Sequence, residues 1–189
     1  MFIKPKHETE NMKQKLPRLA SQEVYNGWLK VRVDTFRLPG IGVPHPFDIV
    51  TINDGSAVLP FLDEDTLLLA EQYRLAVDDY LLELIQGGMQ KSESPEDAAR
   101  RELLEETGYA GELTYLSTMY PLPGSLDMRL HIFQARNIRK IQEPNLDHGE
   151  ELTIVTRPYQ QVIEEVLRGK HKDSALVWAI LFHEALSHQ

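Results

Sequence analysis

The chain contains no cysteine. That excludes disulfides, zinc–thiolate centres and cysteine nucleophiles, and it fits a reducing compartment. No stretch approaches roughly 18 consecutive apolar residues, and no basic-then-apolar leader opens the sequence. The expected location is therefore cytoplasmic, with no membrane partner. Positive charge is scarce: 20 Lys and Arg stand against 29 Asp and Glu, a net charge of −9. With no basic patch to neutralise phosphates, nucleic acid is not an expected partner. Internal repeats and low-complexity linkers are also missing. At 189 residues the chain is long enough for one α/β domain with a small extra unit.

What the sequence does have is acid concentrated in one place. "RRELLEETG", residues 100–108, sets Glu102, Glu105 and Glu106 within five positions. Ser94-Pro95-Glu96-Asp97 reads as an N-cap, a first-turn proline and early acids, and Gly108 stands where a C′ glycine ends a helix. At about 100° per residue, Glu105 lies at about −60° and Glu106 at about +40° from Glu102. All three carboxylates share one arc. Like charges at i,i+4 repel by a few tenths of a kcal/mol, and Arg101 reaches only Glu105 at that spacing. Such an arc calls for a cation. Oxygen ligands alone select a hard ion, Mg²⁺ or Mn²⁺, over zinc. A solvated acidic face is the alternative for an isolated E-x-x-E-E.

The preceding residues decide between these. Gly87, Glu93 and the run Arg101-Glu102-Leu103-Leu104-Glu105-Glu106-Thr107-Gly108-Tyr109 fit G-x5-E-x7-R-E-U-x-E-E-x-G-U at every fixed position, U being bulky and apolar. By average residue usage this arises by chance on the order of 10⁻⁹ per starting position. The segment 87–109 resembles the box of the Nudix hydrolase family. That resemblance implies divalent ions, two or more per site, gripping a nucleoside diphosphate linked to a further group. Glu102 and Glu106, with Glu105, are the expected metal ligands.

Along the chain, residues 1–15 are polar and lysine-rich and are expected to form a disordered or exposed arm. Residues 16–60 are read as a small N-terminal β unit. "FDIVTINDGSAVLPFL" reads as a strand, an Asn-Asp-Gly turn and a second strand. Residues 61–189 form the expected catalytic domain, with strands in "TLLLAEQYRL", "YLLELI", "LTYLSTMYPL", "MRLHIFQARNI" and "LTIVTR". Helices are expected over 158–168 and across "SALVWAILFHEAL". Strands with helices on both sides suggest an α/β fold, an α/β/α sandwich on a mixed β-sheet, which is also the fold the resemblance implies.

Beyond the box, "EQYRLAV" and "LLELIQGG" are similar to the segment of ADP-ribose pyrophosphatases and related nucleoside-diphosphate-sugar hydrolases that reads "QYR … E-x-P-A-G". Pro123, fifteen residues past Gly108, sits where that branch carries a marker proline. The resemblance implies cleavage of the diphosphate of a nucleotide sugar, with ADP-ribose giving AMP and ribose 5-phosphate. Alternatives are another sugar nucleotide, such as GDP-mannose or UDP-glucose, or a non-catalytic sensor on the same fold. It also implies a homodimer formed through the N-terminal unit. Pro123, Gly124 and Asp127 are assigned to the loop that faces substrate, and a backbone carbonyl of Gln86 or Gly87 to the metal. Ile85-Gln86 replaces the usual Pro-Ala, and Met128 stands where many relatives carry an acid.

Other residues carry open alternatives. Arg101 is read as a brace on Glu105 or Glu93, and Glu93 as a further ion ligand or a loop brace. Glu83 is a site carboxylate or a surface acid. Arg74 forks onto a phosphate or pairs with a box glutamate. Trp28 and Tyr25 stack on the base or pack within their strands. The resemblance implies a general base in an acidic loop after the box, here "NLDHGEELTIV", at Glu150 or Glu151, with Glu105 next. His131, His148 and His183 show no ligand spacing and are read as packing or surface residues.

Overall fold

The computed structural model describes residues 15–146 and 151–188. Most of the predicted arm lies outside them. The chain divides into two compact units between Thr51 and Ile52.

The first unit is an antiparallel meander of β1 (Arg18–Asn26), β2 (Lys30–Phe36) and β3 (His45–Thr51). Its polar anchor is Asp34, buried on β2, which accepts from Arg18 Nη1 at 3.1 Å and from Arg32 Nε at 3.0 Å. Ser21, Arg32 and Arg18 together hold the Asp34 carboxyl down at about 2 against the opposing effect of burial. Phe36 and Phe47 meet edge to face across the β2–β3 pair.

The second unit begins with β4 (Gly55–Pro60), buried at every position. It lies between the antiparallel β7 (Ile85–Gly88) and the parallel β10 (Leu130–Lys140), with β8 (Tyr109–Met119) beyond β10. A second sheet places β5 (Thr66–Arg74) between β11 (Leu152–Pro158) and β6 (Asp79–Glu83). A two-residue strand, β9 (Leu126–Asp127), lies in the connection between β8 and β10. The sequence reading placed β4 in the N-terminal unit, as the second arm of an Asn-Asp-Gly hairpin. Instead β4 pairs with β7 and β10, because the Asp54 side chain and the Gly55 amide are engaged elsewhere, as described below.

Strand alternation distributes the core. Ala57, Leu59, Leu67 and Leu69 point to the face covered by α2 (Tyr159–Leu167) and α3 (Ser174–Ser187). Val58, Leu68 and Ala70 belong to the cluster that holds Ala99 and Leu103 of α1 (Pro95–Thr107). The period of two sends successive side chains to opposite layers. The result is the expected α/β/α arrangement on mixed strands. Among the described residues, no helix is long and apolar enough to cross a membrane.

Candidate active site

β7 leads directly into the segment before α1, and its pairing with β4 sets Gly88 opposite Gly55 and Gly87 opposite Ser56. Ser56 Oγ donates to the Pro95 carbonyl at 2.8 Å, tying the first turn of α1 to the sheet. Ser94 caps that turn, accepting from the Asp97 amide at 3.1 Å. Gly108 ends it at φ 76° with its amide on the Leu104 carbonyl at 2.8 Å. A side chain there would collide with the Gln142 carbonyl. The predicted caps are therefore the observed ones.

On α1, Glu102 and Glu106 are buried, while Glu105 is partly open. The Glu102 carboxylate lies so close to the Gly87 Cα that any Cβ at residue 87 would overlap it. A side chain at residue 87 would therefore displace the Glu102 carboxylate from this position. Arg101 fills the space between the acids. Its Nη1 donates to Glu102 Oε1 at 2.7 Å and to Glu105 Oε2 at 3.0 Å. Its Nε and Nη2 hold the two oxygens of Glu93 at 2.9 and 3.0 Å, and Nη2 also reaches the Gly88 carbonyl at 2.9 Å. Arg101 is thus a brace on both predicted partners at once. Glu93 additionally accepts from the Gln90 amide at 2.8 Å, tying the loop before α1 to Arg101. The Arg101 hydrogen bonds hold its carboxyl below the ordinary glutamate range.

A second polar group lies at the β6–β7 junction. Glu83 is buried and forked by Arg74, Nε to Oε1 at 2.7 Å and Nη2 to Oε2 at 2.5 Å. Gln86 Nε2 donates to Oε2 at 2.9 Å. Glu83 is therefore no surface acid. Arg74 pairs with it rather than with a box glutamate, although the fields of Asp173 and Glu106 also act on the guanidinium. Asp173 was missed in the sequence. It caps α3, accepting from the Leu176 amide at 2.7 Å, and burial raises its carboxyl above the usual range. The signal was present, an aspartate directly before the apolar run of α3.

The remaining predicted residues fall as follows. Pro123 and Gly124 are exposed in a turn where the Leu126 amide donates to the Leu122 carbonyl at 2.9 Å. Asp127 is exposed in β9. Tyr25 and Trp28 belong to the first unit, and both open to solvent, Trp28 at 88%. Neither is a packed strand aromatic. Glu150 lies outside the described residues, and Glu151 is exposed just ahead of β11. The flanks of their loop are anchored beside the site. The Asn145 amide donates to the Glu105 carbonyl at 2.7 Å, and Leu152 pairs with Gln72, two residues before Arg74. His131 bonds Thr118 through Nδ1, and His183 is buried against Tyr159, both packing roles as read.

The donor chemistry fits a hard divalent ion. Two buried carboxylates, Glu102 and Glu106, stand one helical turn apart on α1, the Glu102 carboxylate lies against Gly87, and both offer oxygen ligands. Among the described residues no three acids or histidines already converge on one point, and Arg101 is the cation between Glu102 and Glu105 in this structure.

Comparison with known proteins agrees with this geometry. The NUDIX domain matches residues 52–176, beginning where the second unit begins. A methanol dehydrogenase activator of Bacillus methanolicus is 28% identical over 177 residues, covering 90% of this chain and 95% of that protein. An ADP-ribose pyrophosphatase of Bacillus subtilis is 29% identical, covering 87% and 90%. A GDP-mannose pyrophosphatase of Yersinia enterocolitica is 26% identical, covering 90% and 96%. Among solved structures, an ADP compounds hydrolase superposes with a TM-score of 0.79 at 22% identity, over 92% of this chain and 94% of that one. It shares the fold. The intact motif, its helix and the domain match together place the chain in the Nudix family, as a Nudix hydrolase.

Proposed function

We propose that this protein hydrolyses the pyrophosphate bond of a nucleoside diphosphate linked to a sugar, with ADP-ribose as the first substrate to test. The observation that carries this reading is the pair of buried glutamates, Glu102 and Glu106, one helical turn apart on α1, with the Glu102 carboxylate set against Gly87. Burying like charges side by side is costly unless a cation answers them. Among the named relatives, pyrophosphatases of ADP-ribose and of GDP-mannose support the substrate class.

Glu102 and Glu106, assisted by Glu105 and a backbone carbonyl of Gln86 or Gly87, would hold Mg²⁺ or Mn²⁺. The ions would supply charge neutralisation at the phosphoryl oxygens. The chain's own residues do the rest. Arg101 and Glu93 keep the loop and the helix glutamates in register. Arg74, oriented by Glu83, presents a guanidinium to anionic substrate. Glu150 or Glu151 takes the proton from the attacking water, and Pro123, Gly124 and Asp127 face the sugar. Water oxygen bonds to one phosphorus as the bridging P–O bond breaks, so ADP-ribose yields AMP and ribose 5-phosphate.

A homodimer is part of this reading. β1 is an edge strand exposed along its whole length, carrying Leu19, Val24 and Tyr25 in the open. A second copy is a fitting cover for that strand. Light scattering at micromolar concentration should give the mass of two chains, and a fully active monomer would remove this part.

The test is turnover over a panel of nucleotide sugars with Mg²⁺, repeated in ¹⁸O-labelled water. The expected result is two phosphorylated products, one of them carrying label, and no orthophosphate. Label in both products, or free phosphate, would overturn the reaction proposed. Faster turnover of GDP-mannose than of ADP-ribose would move the substrate assignment to the alternative that the Yersinia relative represents.

A further inference from the structure

Outside the glutamate helix, a polar junction ties together three segments that the box motif does not explain. Asp54 accepts three hydrogen bonds from one residue, Arg129. The backbone amide donates to Oδ1 at 2.8 Å, and Nε and Nη2 donate to Oδ2 at 3.0 and 2.6 Å. The Asp54 carbonyl accepts from the Met89 amide at 2.8 Å, and Gly55 N–H donates to the Arg129 carbonyl at 2.9 Å. Asn53 Nδ2 completes the junction on the Met89 carbonyl at 3.2 Å. Residues 53–55 therefore grip the box loop at Met89 and the start of β10 at Arg129.

Strand pairing shows what this achieves. β10 runs parallel to β4 with Leu130 opposite Gly55, and β7 runs antiparallel with Gly88 opposite Gly55. The connection over residues 120–128 thus ends at the same end of β4 where the box loop begins. Contact there is tight. A Cβ on Gly55 would come within 2.9 Å of Met128 Cε and 3.0 Å of the Gly87 carbonyl oxygen. Arg129 is more than half exposed, and an isolated surface pair of that kind contributes little. Here the same carboxylate also holds a backbone amide, and both sides are tethered to paired strands, so the pair constrains chain path rather than adding a loose surface contact.

We propose that Asp54 and Arg129 are positioning residues. Their pair fixes the 120–128 connection against the box loop and so sets where the sugar beyond the diphosphate is held. The sugar half of this statement rests on the function proposed above; the brace itself does not.

The experiment uses the full chain with Asp54→Ala, the conservative Asp54→Asn, Arg129→Lys, and Asp54→Ala with Arg129→Lys. The first measurement is amide hydrogen exchange without substrate. Asp54→Ala should speed exchange over residues 120–129 by about tenfold, the worth of a charge-assisted hydrogen bond, and leave the amides of α1 unchanged. The second is steady-state kinetics on ADP-ribose with Mg²⁺. KM should rise about tenfold with kcat within about twofold and the half-saturating Mg²⁺ concentration unmoved. Asp54→Asn and Arg129→Lys, which each keep part of the pair, should fall between wild type and Asp54→Ala. The double variant should be no worse than Asp54→Ala, because the two residues act as one unit. Unchanged exchange over 120–129 would overturn the brace, and so would an equal rise across α1. A fall in kcat at constant KM would overturn the sugar-positioning role while sparing the brace. If wild type turns over no nucleotide sugar, the functional reading fails, and the exchange pattern alone decides for or against the pair.

Discussion

Arg101 and Arg74 are both arginines forked onto glutamate, but the charge around them differs. Arg101 meets Glu93, Glu102 and Glu105 at hydrogen-bond distance, with Glu106 one turn further along the helix. One guanidinium is shared among three carboxylates. Among the described residues, Arg74 forks onto Glu83 at that distance. Asp173 and Glu106 act on it through their fields, and Gln86 adds a neutral amide to the Glu83 shell. That pair is balanced. A one-to-one pair leaves little charge over, whereas one guanidinium shared among several carboxylates leaves a surplus of negative charge, where the proposed Mg²⁺ or Mn²⁺ would bind. Burial does not distinguish the two clusters, since Glu83 and Glu102 are about equally well buried; the number of acids per arginine does.

The largest effect should come from the surplus side. Glu106→Gln removes one carboxylate from the proposed metal set and should lower kcat about a thousandfold at saturating Mg²⁺. Without metal it should leave thermal stability equal or slightly raised, because like-charge repulsion on the helix is relieved. Kinetics and a melting curve in EDTA check both halves. Wild-type rate, or a steep loss of melting temperature in EDTA, would mean that Glu106 is structural and that the contrast with Glu83 is false.

The balanced side should respond in the opposite sense. Glu83→Gln leaves the half-exposed Arg74 guanidinium facing a neutral amide and breaks its fork onto a buried carboxylate, which should cost about 1–3 kcal/mol of folding stability. Mg²⁺ affinity, read by calorimetry on the folded variant, should stay within about threefold of wild type, since Glu83 is already spent on Arg74. A large loss of Mg²⁺ affinity with stability intact would move Glu83 into the metal site.

These two clusters were unequally legible in the sequence. The α1 cluster is local: a cap serine, a C′ glycine and acids at helical spacing lie within 15 residues, from Ser94 to Gly108, and α-helical geometry alone aligns them. Glu83 and Arg74 sit on adjacent strands, and which acid an arginine reaches there depends on pairing register and on what burial excludes. No periodicity encodes that. Asn53-Asp54-Gly55 misled for a related reason. Asn-Asp-Gly has the composition of a hairpin turn, yet its donors and acceptors are taken by Arg129 and Met89, 75 and 36 residues away along the chain. Local propensity yielded to tertiary hydrogen bonds. The alternating core of β4 and β5 was readable as strand, but the unit to which β4 belongs was fixed only by its neighbours, β7 and β10.

The smallest expected effect concerns Glu93, which belongs to the surplus cluster by position and to the brace by contacts. Its two oxygens receive Arg101 Nε and Nη2, and the Gln90 amide adds a third bond. Arg101 holds its carboxyl below the ordinary value of 4.5. A carboxylate whose folded pKa is depressed stabilises the fold above its unfolded pKa, and that contribution disappears as pH falls through the folded value. Glu93→Gln should therefore be less stable than wild type by about 1–2 kcal/mol at pH 7. The gap should be constant from pH 7 down to near 5 and should close as pH drops below 4.5. Chemical denaturation of both proteins along a pH series, in EDTA, measures it without any contribution from metal. A gap that persists undiminished at pH 3 would show that the charge of Glu93 is not what Arg101 uses. A variant more stable than wild type at pH 7 would place Glu93 among the repelling acids, and Arg101 would then brace only the helix.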